Sequence, residues 1–166
     1  EKAGNIVIAG GGRIGFRLAS KLEDDNHVKL IEKSTARAKK LAETLESTIV
    51  LKGDSTDDAL LREENVDNND VFVATTNSEE ANILSAMVAK KMGCKKVMAL
   101  INKDSFSGLM ETDSIDITIS AEQITVSSLL SHIRKGDVVK VHSLKRGGAP
   151  GPRSAVARSQ RWASPR

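Results

Sequence analysis

The chain has 166 residues, 39% of them hydrophobic and only 2% aromatic, with a formal net charge of +3. That length holds one domain, or one domain plus a fragment of another, and its core must come from Val, Ile, Leu, Ala and Met, which suits a buried parallel sheet. Direct membrane insertion is not expected, because no apolar run approaches the roughly 20 residues that cross a bilayer.

Strands and helical patterns alternate from the start. Asn5–Ala9 reads as a buried strand, and residues 13–23 as a helix with Ile14, Leu18, Ala19 and Leu22 on one face. His27–Glu32 is a second strand. Ser34 is placed to cap a helix over residues 35–45, with Ala38, Leu41, Ala42 and Leu45 recurring on one side. A third strand over 48–52, a short helix over 57–64 and a turn over 65–69 follow. Residues 70–74 form strand four, and 78–92 a helix that Gly93 ends. Residues 96–101 and 115–120 read as strands five and six, with a short helix over 105–111 between them. This order predicts an α/β fold, a Rossmann-like doubly wound six-stranded parallel sheet over residues 1–120.

Beyond it, residues 121–134 form an amphipathic helix with Ile124, Leu129, Leu130 and Ile133 in one stripe, and 138–144 alternate like a strand. Residues 121–146 thus read as a crossover helix and strand that open a truncated C-terminal lobe. Residues 147–166 carry all three Pro and no apolar periodicity, so they read as an expression scar or a native disordered basic tail. Four Arg and no acid lie there, while the rest counts 21 basic against 22 acidic residues. The basic balance therefore belongs to the tail, and no nucleic-acid-binding body is expected. With no initiator Met and a strand almost at its first residue, the chain reads as a piece of a longer protein.

Gly10, Gly12 and Gly15 have the G-x-G-x-x-G spacing between a strand and a helix. There the first glycine permits a tight turn, the second lets backbone approach a pyrophosphate, and the third lets the helix pack closely. Free N–H groups at the helix start would face the phosphates. Glu32 stands 22 residues beyond Gly10, where a carboxylate accepts hydrogen bonds from ribose hydroxyls. It disfavours a 2′-phosphate, and so NADP, but suits NAD and ATP alike. Lys33 and Arg37 read as a solvated first helical turn more readily than as a 2′-phosphate clamp. Arg13 inside the turn either meets extra phosphate charge or simply sits exposed. Asp54 and Ser55 follow strand three, and either approach an adenine edge or, for Asp54, cap the short helix. Thr75, Thr76 and Asn77 follow strand four, close to ribose or phosphate, and Lys103 follows strand five as a phosphate partner.

Catalytic groups are harder to find. The chain has no Tyr, its three His are scattered, and no substrate domain follows. Hydride transfer would need a proton donor near the nicotinamide, so the nucleotide reads as a sensed ligand, not a reactant. The alternative is an NAD-dependent oxidoreductase fragment lacking its substrate domain. The single Cys94 cannot form an internal disulfide. Lys95 and Lys96 would lower its pKa, yet it reads as a small residue in a helix-to-strand turn. No metal site is expected.

The set Gly10-Gly-Gly-Arg-Ile-Gly15, Glu32-Lys-Ser34, Gly53-Asp-Ser-Thr-Asp57, residues Ala74 to Asn82 and the helix from Ile124 to Arg134 resembles the nucleotide-binding domain of regulators of potassium conductance. The likeness spans about residues 4–146 and is nearest to the peripheral proteins of bacterial potassium uptake, with the end of the segment similar to a second domain of a tandem protein. It implies a cytoplasmic regulatory domain without turnover, peripheral on the inner face of the membrane. A homodimer or larger ring through helix 121–134 would act on a membrane potassium transporter subunit. NAD, NADH or ATP/ADP would shift its conformation. By matching position, Gly10, Gly12, Arg13 and Gly15 would hold phosphates, with Gly11, Ile14 and Lys33 in the same lining. Glu32 would take the ribose, Asp54 and Ser55 the adenine side. Thr75, Thr76 and Asn77 would line the nicotinamide or phosphate side, and Lys103 would add a basic phosphate contact.

Overall fold

The computed structural model describes residues 4–101, 114–120 and 125–135. Within them the strands are β1 (Asn5–Ala9), β2 (His27–Glu32), β3 (Ile49–Lys52), β4 (Val71–Ala74), β5 (Lys96–Leu100) and β6 (Ile117–Ile119). The helices are α1 (Arg13–Leu22), α2 (Thr35–Thr44), α3 (Asp58–Glu63), α4 (Glu79–Met92) and α5 (Val126–Lys135), with a 3-10 turn at Val66–Asn68. Every pairing is parallel and the strands lie in the order β3-β2-β1-β4-β5-β6. This is the doubly wound six-stranded sheet expected from the alternating pattern. The strand reading 138–144, the helix reading 105–111 and the tail lie outside the described residues.

Strand alternation sorts the core into two layers. Ile6 and Ile8 of β1 point to the side covered by Leu18 of α1, Leu41 of α2 and Leu129 of α5. Val7 and Ala9 point the other way, to Leu61 of α3 and to Ile83 and Ala86 of α4. With both faces covered, central strands must be apolar on both sides, as β4 (Val-Phe-Val-Ala) is throughout. Edge strand β3 is covered less, and Ile49 is 55% exposed. The helix ends follow local chemistry. Ser34, Asp57 and Ser78 cap α2, α3 and α4 with their side chains, and Gly93 closes α4 at φ +117°.

Three sequence expectations are corrected here. The last helix does not run unbroken from residue 121: it begins at Val126, and the Thr125 hydroxyl accepts the Ser128 N–H as a cap. Two of the four residues of its expected interface stripe are taken up by the chain's own core. Leu129 and Leu130 are buried against the chain's own sheet, with Val126 and Ile133 packed beside them, while Ile124 lies outside the described residues. The Lys96 ammonium of β5 also donates to the His132 carbonyl at 2.7 Å, fastening the helix to the sheet. Ala42, assigned to the buried side of α2, is exposed, because only Ala38, Leu41 and Leu45 reach the core.

Candidate functional site

The strand order reverses between β1 and β4, so the loops leaving them part to opposite sides and open a crevice at the carboxyl ends. Gly10 extends the ladder by donating its N–H to Ile31 O at 2.8 Å, then turns at φ +103°. A Cβ there would stand 2.8 Å from the Thr76 N, so the turn and the β4 loop touch backbone to backbone. A Cβ on Gly15 would collide with the Gly10 carbonyl oxygen, which is why α1 can start so close to the strand. Gly12 differs. Its backbone is extended, and a Cβ would meet nothing within 4 Å. No steric demand of the fold requires glycine at that point, whereas a ligand pressed against the backbone would.

Gly12 is also the N-cap of α1, and it offers no side-chain cap. Each of the other described helices has a Ser, Thr or Asp oxygen at its start. The first turn of α1 therefore presents N–H donors and the positive end of its dipole without a protein anion. Arg13 is exposed on that turn.

Glu32 lies at the mouth of β2. One carboxylate oxygen accepts the Gly11 N–H at 2.9 Å and the other the Ser34 N–H at 2.7 Å. Each oxygen keeps a second lone pair, so the carboxylate is aimed and still able to accept a ribose hydroxyl. Lys33 pairs with Asp54 at 3.6 Å, both partly exposed. Arg37, an exposed member of the cleft lining, donates from Nη1 to the Gly11 carbonyl at 3.2 Å. Asp54 does not cap α3, which Asp57 does. Its carboxylate accepts the Thr56 hydroxyl at 2.7 Å and the Thr56 N–H at 2.9 Å. Those bonds, helped by Lys33, hold it below the usual carboxylate range against a smaller effect of burial.

The β4 loop is framework as much as lining. The buried Thr75 hydroxyl donates to Ala9 O and Gly10 O at 3.1 and 3.2 Å, pinning the glycine turn. Thr76 is held by Asn82, which accepts its N–H and hydroxyl and donates to its carbonyl and to Leu100 O. Sequence reasoning missed Asn82 as a bracket, although an Asn on the apolar side of a helix was a signal. The Thr75 and Thr76 hydroxyls are thus engaged with the protein, and Asn77 is the exposed member of the three.

These elements enclose a cleft of about 680 Å³. Gly10, Gly11, Gly12, Arg13, Ile14, Glu32, Lys33, Asp54, Ser55, Thr75, Thr76 and Asn77 line it together. Gly15 lies behind the lining, and Lys103 is outside the described residues. The volume falls in the range of small-molecule pockets. A larger recess, about 1370 Å³, lies at the opposite end of the sheet beside Asp24, His27 and Asn65. In a doubly wound sheet the helices start at the carboxyl ends of the strands, so that recess lacks the anion-binding N-termini. Among the described residues no helix is long and apolar enough to cross a membrane, and no group of His, Cys, Asp or Glu is placed to hold a metal.

The residues fit an adenine nucleotide: an open glycine for close approach, an uncapped helix for phosphate, and an aimed carboxylate for ribose. The TrkA-N domain model matches residues 6–121. The Trk system potassium uptake protein TrkA of Vibrio alginolyticus is 54% identical over 144 residues, covering 87% of this chain and 31% of the relative. The chain thus spans about a third of the length of the curated relatives it matches. Among solved structures, the GsuK channel bound to NAD superimposes with TM-score 0.62 at 20% identity, over 72% of this chain and 22% of that one. GsuK bound to ADP gives the same TM-score and identity, over 72% and 32%. At that identity the likeness speaks for the fold, while the domain match over residues 6–121 fixes the family: the chain belongs to the TrkA-N domain family.

Proposed function

We propose that the chain is a regulatory nucleotide-binding module of a bacterial potassium-uptake system, binding NAD, NADH, ATP or ADP and passing its occupancy to a membrane potassium transporter. The observation that carries the reading is the convergence of the uncapped α1 start, the open Gly12 and the aimed Glu32 on one cleft. The glycine turn would hold the phosphates, Glu32 the ribose, and Asp54 and Ser55 the adenine side. Lys103 would serve as a further phosphate contact. The Vibrio relative named for potassium uptake supports the physiological setting, and GsuK solved with NAD and with ADP supports the ligand class.

On this reading the module has no turnover, sits on the cytoplasmic face of the membrane, and works as a homodimer or ring within its parent protein. The tail from residue 147 is not part of the domain. Assembly would use surfaces other than Leu129 and Leu130, which the chain buries itself. Calorimetric titration of the chain with NAD, NADH, ATP and ADP tests the binding claim. Saturable binding of at least one is expected, and no binding of any would sink the reading.

A further inference from the structure

Arg37 lies outside the glycine motif and the acidic ribose position, yet it touches the phosphate turn. Its guanidinium Nη1 donates to the Gly11 carbonyl at 3.2 Å. Its own N–H donates to the Ser34 hydroxyl at 3.3 Å, and the Ser34 N–H donates to Glu32 at 2.7 Å. Glu32 in turn accepts the Gly11 N–H at 2.9 Å. The four residues close a circuit in which an anion holds the N–H of Gly11 and a cation holds its carbonyl. One helical turn beyond Arg37, Leu41 lies over Gly11, where an added Cβ would collide with it. A side chain on the middle glycine would thus have to displace Leu41 of α2.

Peptide planarity turns this into a statement about the ligand. No peptide bond here is cis, so each C=O and the following N–H point in opposite directions. The Gly10–Gly11 plane is fixed on both sides, by Thr75 on the Gly10 carbonyl and by Glu32 on the Gly11 N–H. In the Gly11–Gly12 plane, Arg37 draws the carbonyl towards α2, which turns the Gly12 N–H away from α2. A cation on the carbonyl also polarises the peptide and strengthens that N–H as a donor.

We infer that Arg37 is a positioning residue for phosphate recognition: it fixes the plane that presents the Gly12 N–H to the pyrophosphate, without touching the phosphate itself. This rests on the nucleotide reading of the cleft. Arg37 is exposed, so its removal leaves the core intact.

The test compares the wild-type chain with Arg37→Ala and Arg37→Lys, titrated with ADP and with adenosine, which shares the ribose and base but has no phosphate. Arg37→Ala is expected to weaken ADP about tenfold and leave adenosine within about twofold, with Arg37→Lys between them. The salt dependence of ADP binding is expected to match wild type, since a positioning cation forms no ion pair with phosphate. ADP affinity unchanged by Arg37→Ala, adenosine falling in step with ADP, or a flattened salt dependence would each overturn the inference. Failure of the wild-type chain to bind ADP would instead count against the nucleotide reading, so the two failures are distinguishable.

Discussion

Replacing Asn82 by Ala removes the bracket between the β4 loop and the end of β5. Asn82 is 1% exposed, and its amide makes four hydrogen bonds. Three go to half-buried Thr76, where water can take over, at a cost of about 0.5–1 kcal/mol apiece. The fourth runs to the carbonyl of Leu100, a residue 4% exposed, at 2.8 Å. Leaving that acceptor unsatisfied costs about 1–3 kcal/mol. The loss is therefore about 2.5–6 kcal/mol, a large share of a small domain's stability of about 5–15 kcal/mol. Urea unfolding followed by far-ultraviolet circular dichroism measures it, since the single Trp162 lies outside the described residues. Thr76→Val removes only the hydroxyl of the pair, and the double mutant should show a coupling of at least about 0.5 kcal/mol. A loss below about 1 kcal/mol, or strict additivity, would refute the reasoning that the bracket holds these loops together.

Two other groups give predictions from their surroundings. Burial pushes the Glu23 carboxyl up, but hydrogen bonds from Thr48, Ser47 and Glu46 outweigh it and hold the pKa below the usual value. A depressed carboxylate stabilises the fold above its unfolded pKa and loses that contribution as pH falls through the folded value. The stability gap between wild type and Glu23→Gln should therefore be widest near neutrality and shrink in acid; a gap constant with pH would contradict this. Cys94 is 2% exposed, and burial pushes its thiol up to about 11. It should resist iodoacetamide in the folded chain and react once urea is added, whereas rapid labelling without urea would count against its burial. The flanking lysines thus do not activate it.

The sheet was legible because doubly buried strands are short apolar runs, as Ile6–Ala9 and Val71–Ala74 are, and the helices between them announce their ends with Ser34, Ser78 and Gly93. Glu32 was singled out by its spacing from the glycine turn. What spacing does not show is where a side chain is already engaged. Glu32 meets Gly11 only through the β1–β2 register that sets Ala9 beside Ile31. The roles of Arg37 and Thr75 likewise depend on contacts between residues 26 and 65 positions apart. Asp54 read as an adenine contact or as the cap of the short helix until the backbone gave that cap to Asp57. The stripe on α5 shows the same limit, because periodicity says that Leu129 and Leu130 are covered but not by what.

The central claim, that the cleft at the glycine turn receives a nucleotide, is tested most directly at Gly12. Its backbone is extended, and a Cβ there meets nothing within 4 Å of protein. Gly12→Ala should therefore shift the unfolding free energy by no more than about 1 kcal/mol, the stiffer unfolded chain offsetting a poorer N-cap on α1. If phosphate lies against that backbone, the same methyl group occupies its place. The expected variant folds with stability within about 1 kcal/mol of wild type, and its affinity for NAD and ADP falls by about tenfold or more. A stable variant that binds both as tightly as wild type would contradict it.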